Sequence, residues 1–250
     1  MTASDLARRA VALLDLTDLS NGLNEAGVEA LCARAVTPLG PVAAICLWAG
    51  FVPQARRLLR GTAVRIATVV NFPDGGTNVS RSADEARYAL LDGADEIDVV
   101  MPYRALMSGD RETVAALLGA VRAAVPASKV LKVILETGEL GRPDLIREAA
   151  RIAIGTGADF IKTSTGKTAI SATPEAAEIM LEEIRAAGRK VGFKPSGGIR
   201  KAADAALYLG LADRVMGPHW ATPATFRFGA SGLLDDLLTS GGTTGAPPAY

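Results

Sequence analysis

The chain has 250 residues, 49% of them hydrophobic, and carries 27 Lys and Arg against 27 Asp and Glu. A formal net charge of zero offers no electrostatic footprint for nucleic acid or an anionic membrane, and no apolar run reaches the roughly 20 residues of a membrane helix. Two cysteines, Cys32 and Cys46, cannot build a disulfide scaffold, and the single histidine, His219, excludes a zinc site of several histidines and any Ser-His-Asp triad without it.

The first residues, Met1–Leu14, carry Arg8 and Arg9 but only a short apolar run that Asp15 ends, which is not a secretory layout, and a reducing cytoplasm is expected. A first strand is expected over Ala12–Leu16. Asn24 then caps a helix with the apolar stripe Val28, Leu31, Cys32 and Ala35. Strands over Ala43–Trp48 and Val64–Asn71 follow. Ser82 with Glu85 reads as a capping box before Ala86–Leu91, and Gly93 stops that helix. Strands Glu96–Met101 and Val130–Glu136 come next, then a helix started by Pro143 and stopped at Gly157. The sixth strand is Asp159–Thr163. Thr173 and Pro174 open the next helix, strands Lys190–Lys194 and Phe226–Gly229 follow, and a short helix covers Leu233–Leu238. Gly241–Tyr250, rich in Gly, Thr, Pro and Ala, reads as a flexible tail behind one domain spanning 1–240.

These strands are continuous apolar runs rather than alternating ones, as strands covered on both faces are. Eight of them alternating with helices point to an α/β chain folded as a (β/α)₈ TIM barrel, with a doubly wound open sheet as the alternative. A faint repeat favours the barrel. Gly93-Ala94-Asp95-Glu96-Ile97-Asp98 aligns without a gap on Gly157-Ala158-Asp159-Phe160-Ile161-Lys162, which places Asp98 and Lys162 at one depth and on one face.

Charged residues inside the apolar strands are few: Asp15, Asp98, Lys132, Glu136, Lys162 and Lys194. Burying an ammonium is costly, so a strand lysine needs a reason. It is either an ion-paired structural residue or, beside a second cation, a neutral amine able to form a Schiff base. Lys162, Lys194 and Asp98 sit near strand ends, where a barrel carries its chemistry. Lys132 and Glu136 read as a structural pair at the rim. Glycine turns follow the last three strands: Ser164-Thr165-Gly166-Lys167, Pro195-Ser196-Gly197-Gly198 and Gly229-Ala230-Ser231-Gly232. The last opens a helix, so a phosphorylated ligand near Lys167 and Arg200 is expected. Asp15 either caps a loop or meets a substrate hydroxyl. Cys46 ends the second strand as a pocket residue or a structural cysteine.

Five segments in order resemble signature stretches of the deoxyribose-phosphate aldolase family. They are Glu96-Ile-Asp98-Val-Val-Met-Pro-Tyr-Arg-Ala-Leu106, Ile134-Leu-Glu-Thr-Gly-Glu-Leu140, Phe160-Ile-Lys162-Thr-Ser-Thr-Gly-Lys167, Gly192-Phe-Lys194-Pro-Ser-Gly-Gly198 and Arg227-Phe-Gly-Ala-Ser231. The likeness runs from about Leu13 to Leu238. It implies a (β/α)₈ barrel and a class I aldolase that needs neither metal nor cofactor. The implied reaction is reversible cleavage of 2-deoxy-D-ribose 5-phosphate to acetaldehyde and D-glyceraldehyde 3-phosphate. On the family pattern Lys162 is the Schiff-base lysine, Lys194 depresses its pKa and Asp98 joins the proton relay. Lys167, Gly166, Gly197, Gly198, Gly229, Ser231 and Gly232 fall at the phosphate, and Asp15, Thr17 and Cys46 at the substrate end. Many relatives carry a second serine where this chain has Gly232. Some end in a tyrosine that assists proton transfer, which gives Tyr250 an accessory role to test. The partners implied are phosphosugar and aldehyde substrates and further copies of the chain, as a dimer or tetramer. A Schiff-base aldolase for a longer keto-sugar or keto-acid phosphate, and a non-catalytic phosphosugar-binding barrel, remain the alternatives.

Overall fold

The computed structural model describes residues 2–241, so Tyr250 and the tail from 242 lie outside the described residues. The strands in chain order are β1 (Leu14–Thr17), β2 (Val36–Thr37), β3 (Gly40–Pro41), β4 (Ala44–Leu47), β5 (Arg65–Val70), β6 (Glu96–Val100), β7 (Val130–Ile134), β8 (Phe160–Lys162), β9 (Gly192–Lys194) and β10 (Phe228–Ala230). All but β2 and β3, a small antiparallel ribbon, pair in parallel in the order β10-β1-β4-β5-β6-β7-β8-β9. The two ends meet. Phe193 N–H donates to the Thr225 carbonyl at 2.8 Å and Gly229 N–H to the Pro195 carbonyl at 2.9 Å, closing the sheet into the expected barrel. The open-sheet alternative falls with that closure.

The helices are α1 (Ala3–Ala12), α2 (Glu25–Arg34), α3 (Val52–Leu58), α4 (Val79–Leu91), α5 (Tyr103–Met107), α6 (Arg111–Ala124), α7 (Thr137–Leu140), α8 (Pro143–Gly155), α9 (Pro174–Ala186), α10 (Ala202–Met216) and α11 (Leu233–Ser240). Their starts follow local chemistry. Asn24 and Thr173 accept from the backbone three residues on, as expected, and Pro143 and Pro174 occupy first turns. Gly93 and Gly157 follow helix ends with φ of 107° and 95°, a region that favours glycine.

Three local expectations are corrected. Residues 12 and 13 are not strand: a Thr2–Asp5 capping box starts α1, which runs to Ala12 and is capped by Leu13. Ser82 is no N-cap. Asn78 caps α4 one turn earlier, Ser82 lies buried inside the helix, and Glu85 instead accepts the Asn71 N–H at 2.8 Å. β7 ends at Ile134 rather than Glu136: Leu135 still donates to the Lys162 carbonyl at 2.9 Å, and Glu136 turns away at φ 58°.

The apolar faces of helices and strands fill the layer between barrel and outer ring. The lumen is different. One side holds a small apolar cluster of Leu19, Cys46, Ala67 and Val69 with Trp48 and Phe72 against it. At the amino-terminal end the Phe160 ring fills the space left by Gly192, whose added Cβ would lie 2.3 Å from it. The remainder is charged.

Candidate active site

The strand register brings Asp98 opposite Lys132, and Ile134 opposite Lys162. Lys162 therefore sits two residues further along than Asp98 after two strands, the stagger a barrel of shear about 8 over eight strands requires. The repeat alignment reads correctly, and the Lys162 Nζ donates to Asp98 Oδ2 at 3.0 Å.

Around this pair lies a buried ionic network. Lys194 Nζ reaches Asp15 Oδ2 at 2.6 Å and Asp98 Oδ2 at 2.8 Å. Lys132 Nζ lies 2.6 Å from Glu96 and 2.7 Å from Asp98, with Asp15 at 3.7 Å. Arg227 donates to Asp15 at 2.6 Å and to Glu96 at 2.9 Å. Four cations thus share three carboxylates. Fully charged, the group would carry one positive charge in excess; with one lysine neutral it balances.

The geometry selects which lysine. Lys194, Lys132 and Arg227 each hold two carboxylates closely, whereas Lys162 has only Asp98 Oδ2 and shares that oxygen with Lys194. Burial pushes the Lys162 pKa down, Lys194 pushes it further, and Asp98 restores only part. Burial opposes the charge on Lys194 as well, but Asp15 and Asp98 outweigh it and hold its pKa above the ordinary lysine value. Lys132, with Asp98 and Glu96, is raised in the same way. Burial disfavours ionised Asp98 too, yet Lys132, Lys194 and Lys162 keep its carboxyl well below the usual range. A neutral amine still donates a hydrogen bond, so the Lys162–Asp98 contact fits an uncharged lysine.

Asp15 is fully buried, with both oxygens taken by Lys194 and Arg227; it belongs to the network rather than to the mouth. Cys46 is also buried, and burial with Asp98 nearby raises its thiol pKa. The pairing of Lys132 with Glu136 is corrected. Four strand residues span about 13 Å, beyond side-chain reach. Glu136 instead accepts from the Thr165 N–H at 3.3 Å and its hydroxyl at 2.5 Å, and from the Thr168 hydroxyl at 3.3 Å. It thereby fixes the loop that carries Gly166 and Lys167.

Beyond the network, toward the carboxyl ends of the strands, opens a cavity of about 490 Å³. Thr17, Gly166, Lys167, Gly197, Gly198, Gly229 and Ser231 line it, as the sequence places them, together with Arg34, Ser196 and Arg200, of which only Arg200 was expected near a ligand. Gly232 stands one residue on from Ser231, as the N-cap of α11. Lys167 crosses the mouth to donate to the Leu19 carbonyl at 2.8 Å. Glycine is required where the two turns meet: a Cβ on Gly197 would come 2.5 Å from the Ser171 hydroxyl and 3.3 Å from the Gly166 Cα. Gly229 has the same role beside Lys194, whose Cε an added Cβ would approach to 3.0 Å.

Glu96 and Arg227 were not singled out from sequence. Glu96 carried a signal, since it precedes Asp98 by two residues and must share its face. Arg227 carried one too, since the expected strand Phe226–Gly229 contains it two residues before Gly229; the observed strand starts only at Phe228, with the Arg227 N–H still bonded to the Phe193 carbonyl at 3.0 Å.

The family model for DeoC/LacD family aldolases matches residues 9–232. A deoxyribose-phosphate aldolase of Agrobacterium fabrum is 55% identical over 235 residues, 94% of this chain and 91% of that protein. An apo structure from Toxoplasma gondii ME49, proposed to be a deoxyribose-phosphate aldolase, superposes with a TM-score of 0.88 at 26% identity, covering 98% of this chain and 99% of that one. A tetrameric deoxyribose phosphate aldolase from Aeropyrum pernix gives a TM-score of 0.76 at 27% identity, covering 95% and 92%.

Proposed function

The chain belongs to the DeoC/LacD family of aldolases, and we propose that it reversibly cleaves 2-deoxy-D-ribose 5-phosphate to D-glyceraldehyde 3-phosphate and acetaldehyde through a Schiff base on Lys162. The observation that carries the assignment is the charge count. Lys162 holds one shared carboxylate oxygen where each neighbouring cation holds two carboxylates, so it is the amine left neutral.

In the cleavage direction the neutral Lys162 Nζ attacks C1 of the open-chain sugar. The carbinolamine loses water, and the iminium withdraws electrons from C2, the part a metal takes in other aldolases. A water held by Asp98 and Lys194 takes the proton of the C3 hydroxyl. The C2–C3 bond breaks, glyceraldehyde 3-phosphate leaves, and the remaining enamine is protonated at C2 and hydrolysed to acetaldehyde. The phosphate lies in the cavity against Lys167, the Gly197-Gly198 turn and Ser231 at the start of α11. Gly232 supplies only its backbone N–H there. Thr17 contacts the sugar, and Asp15 and Cys46 support the site from within the lumen.

Two buried, unpaired cysteines favour a reducing compartment, which makes the cytoplasm part of this proposal. Among the described residues no helix is long and apolar enough to cross a membrane. Assembly as a dimer or tetramer is also proposed, supported by exposed Tyr88 and Leu91 on α4 and by the tetrameric Aeropyrum pernix relative.

The test is borohydride trapping with acetaldehyde followed by peptide mapping. A reduced two-carbon adduct on Lys162, absent from Lys162→Ala, is the expected result. No adduct, or one spread over surface lysines, would leave the phosphosugar-binding reading ahead. Turnover with dihydroxyacetone phosphate as donor in place of acetaldehyde would favour an aldolase for longer keto-sugars.

A further inference from the structure

Arg227 and Glu96 lie further toward the amino-terminal end than the reacting amine and touch nothing in the substrate cavity. Both line a second cavity of about 380 Å³ at the opposite end of the barrel. Arg227 is nevertheless almost wholly buried, with its Nε on the Pro223 carbonyl at 2.5 Å and its terminal nitrogens divided between Asp15 Oδ1 at 2.6 Å and Glu96 at 2.9 and 3.2 Å. The other oxygen of Asp15 holds Lys194 at 2.6 Å. A chain of charge-assisted bonds therefore runs from Glu96 through Arg227, Asp15 and Lys194 to Asp98, which holds Lys162.

We infer that Arg227 is a positioning residue of the reaction: it fixes Asp15 on Lys194 and supplies the positive charge that makes the lumen balance with Lys162 uncharged. The inference rests on the Schiff-base reading above. Every charged or titratable group around Lys162 enters the count. Asp98 and Glu96 come from β6, Asp15 from β1, Lys132 from β7, Lys194 from β9, Arg227 from the segment before β10, and the Cys46 thiol from β4. The thiol stays neutral, since burial raises its pKa. Without Arg227, three carboxylates face three lysines, and the balanced state is the one with Lys162 protonated. Without Arg227 and Glu96 together, two carboxylates face three lysines, and the balanced state again leaves Lys162 neutral.

The experiment measures the acid limb of kcat/KM and of acetaldehyde–borohydride trapping against pH. In Arg227→Met the limb should move up by about one pH unit, as removing a charge across a buried network does. In Glu96→Gln/Arg227→Met it should return toward the wild-type position, and Arg227→Lys should keep it there. A residue that merely held the fold together would lower activity in both Met variants without this reversal. If Arg227→Met does not fold, Glu96→Gln answers with the opposite sign, since excess positive charge moves the limb down. A limb that stays put in Arg227→Met, or an equal shift in the double variant, overturns the inference. So does an unmoved or raised limb in Glu96→Gln. Absence of trapping in the wild-type protein would instead remove the Schiff-base reading itself, so the two failures are separable.

Discussion

Replacing Lys194 with Met removes the positive charge that shares a carboxylate oxygen with the proposed nucleophile. Lys194 Nζ and Lys162 Nζ bind the same oxygen, Asp98 Oδ2, at 2.8 and 3.0 Å, so laid end to end these bonds put the nitrogens at most 5.8 Å apart. At an effective dielectric constant of about 20, two unit charges at that separation repel by about 3 kcal/mol, or about two pKa units. Removing Lys194 also releases an oxygen of Asp98 to Lys162 alone, which moves the pKa in the same direction. The acid limb of kcat/KM should therefore rise by about two units, with about a hundredfold loss below it. The assay is a pH–rate profile for retro-aldol cleavage, with circular dichroism at each pH to show that the variant is folded. Recovery at high pH to near wild-type turnover would assign Lys194 an electrostatic role only; a lowered plateau would add a part in proton transfer. An acid limb that does not move would refute the reasoning, because no arrangement of these three groups lets a charge so close leave without effect.

Lys167→Met should raise KM for 2-deoxy-D-ribose 5-phosphate by about tenfold with kcat little changed, as loss of a charged contact to a non-reacting phosphate does; an unaltered KM would place the phosphate elsewhere. The pKa values of Asp15 and Asp98 lie below those of the unfolded chain, so their contribution is fully present above about pH 4 and is lost as pH falls through the folded values. Urea unfolding should show stability dropping steeply below pH 4, and less steeply in Asp15→Asn; equal slopes would show that Asp15 carries none of the linkage.

The barrel was legible because its strands are buried on both faces and read as unbroken apolar runs, and because Gly93 and Gly157 mark two equivalent strand entries. That repeat also puts Asp98 and Lys162 at one depth and on one face, with which the 3.0 Å contact between them agrees. Pairings between strands distant in sequence were not legible. Lys132 was matched with Glu136 because the two are neighbours in the chain, whereas its partners, Glu96 and Asp98, stand across the ladder on β6. Ser82 and Glu85 match the capping-box pattern, but Asn78 is the better cap and lies one turn earlier, where the chain leaves the loop after β5. Arg227 falls inside the expected strand Phe226–Gly229, two residues before Gly229 and so on its face, but its carboxylate partners Asp15 and Glu96 stand on strands far away in the sequence.

The network also explains why a barrel interior is charged at all. Ionised groups out of water cost several kcal/mol each, and apolar replacements of similar volume are often as stable, so seven buried ionisable side chains are a poor way to hold a barrel shut. Their value lies in counting. Protonating Lys162 would leave an uncompensated positive charge in a closed lumen, a penalty that falls on the folded protein as a whole. On the Schiff-base reading, the charge-balanced state of the lumen is also the one in which Lys162 is a free amine. On that reading stability and reactivity select the same proton, and closure of the sheet between β9 and β10 encloses the group in a lumen where all seven side chains are buried.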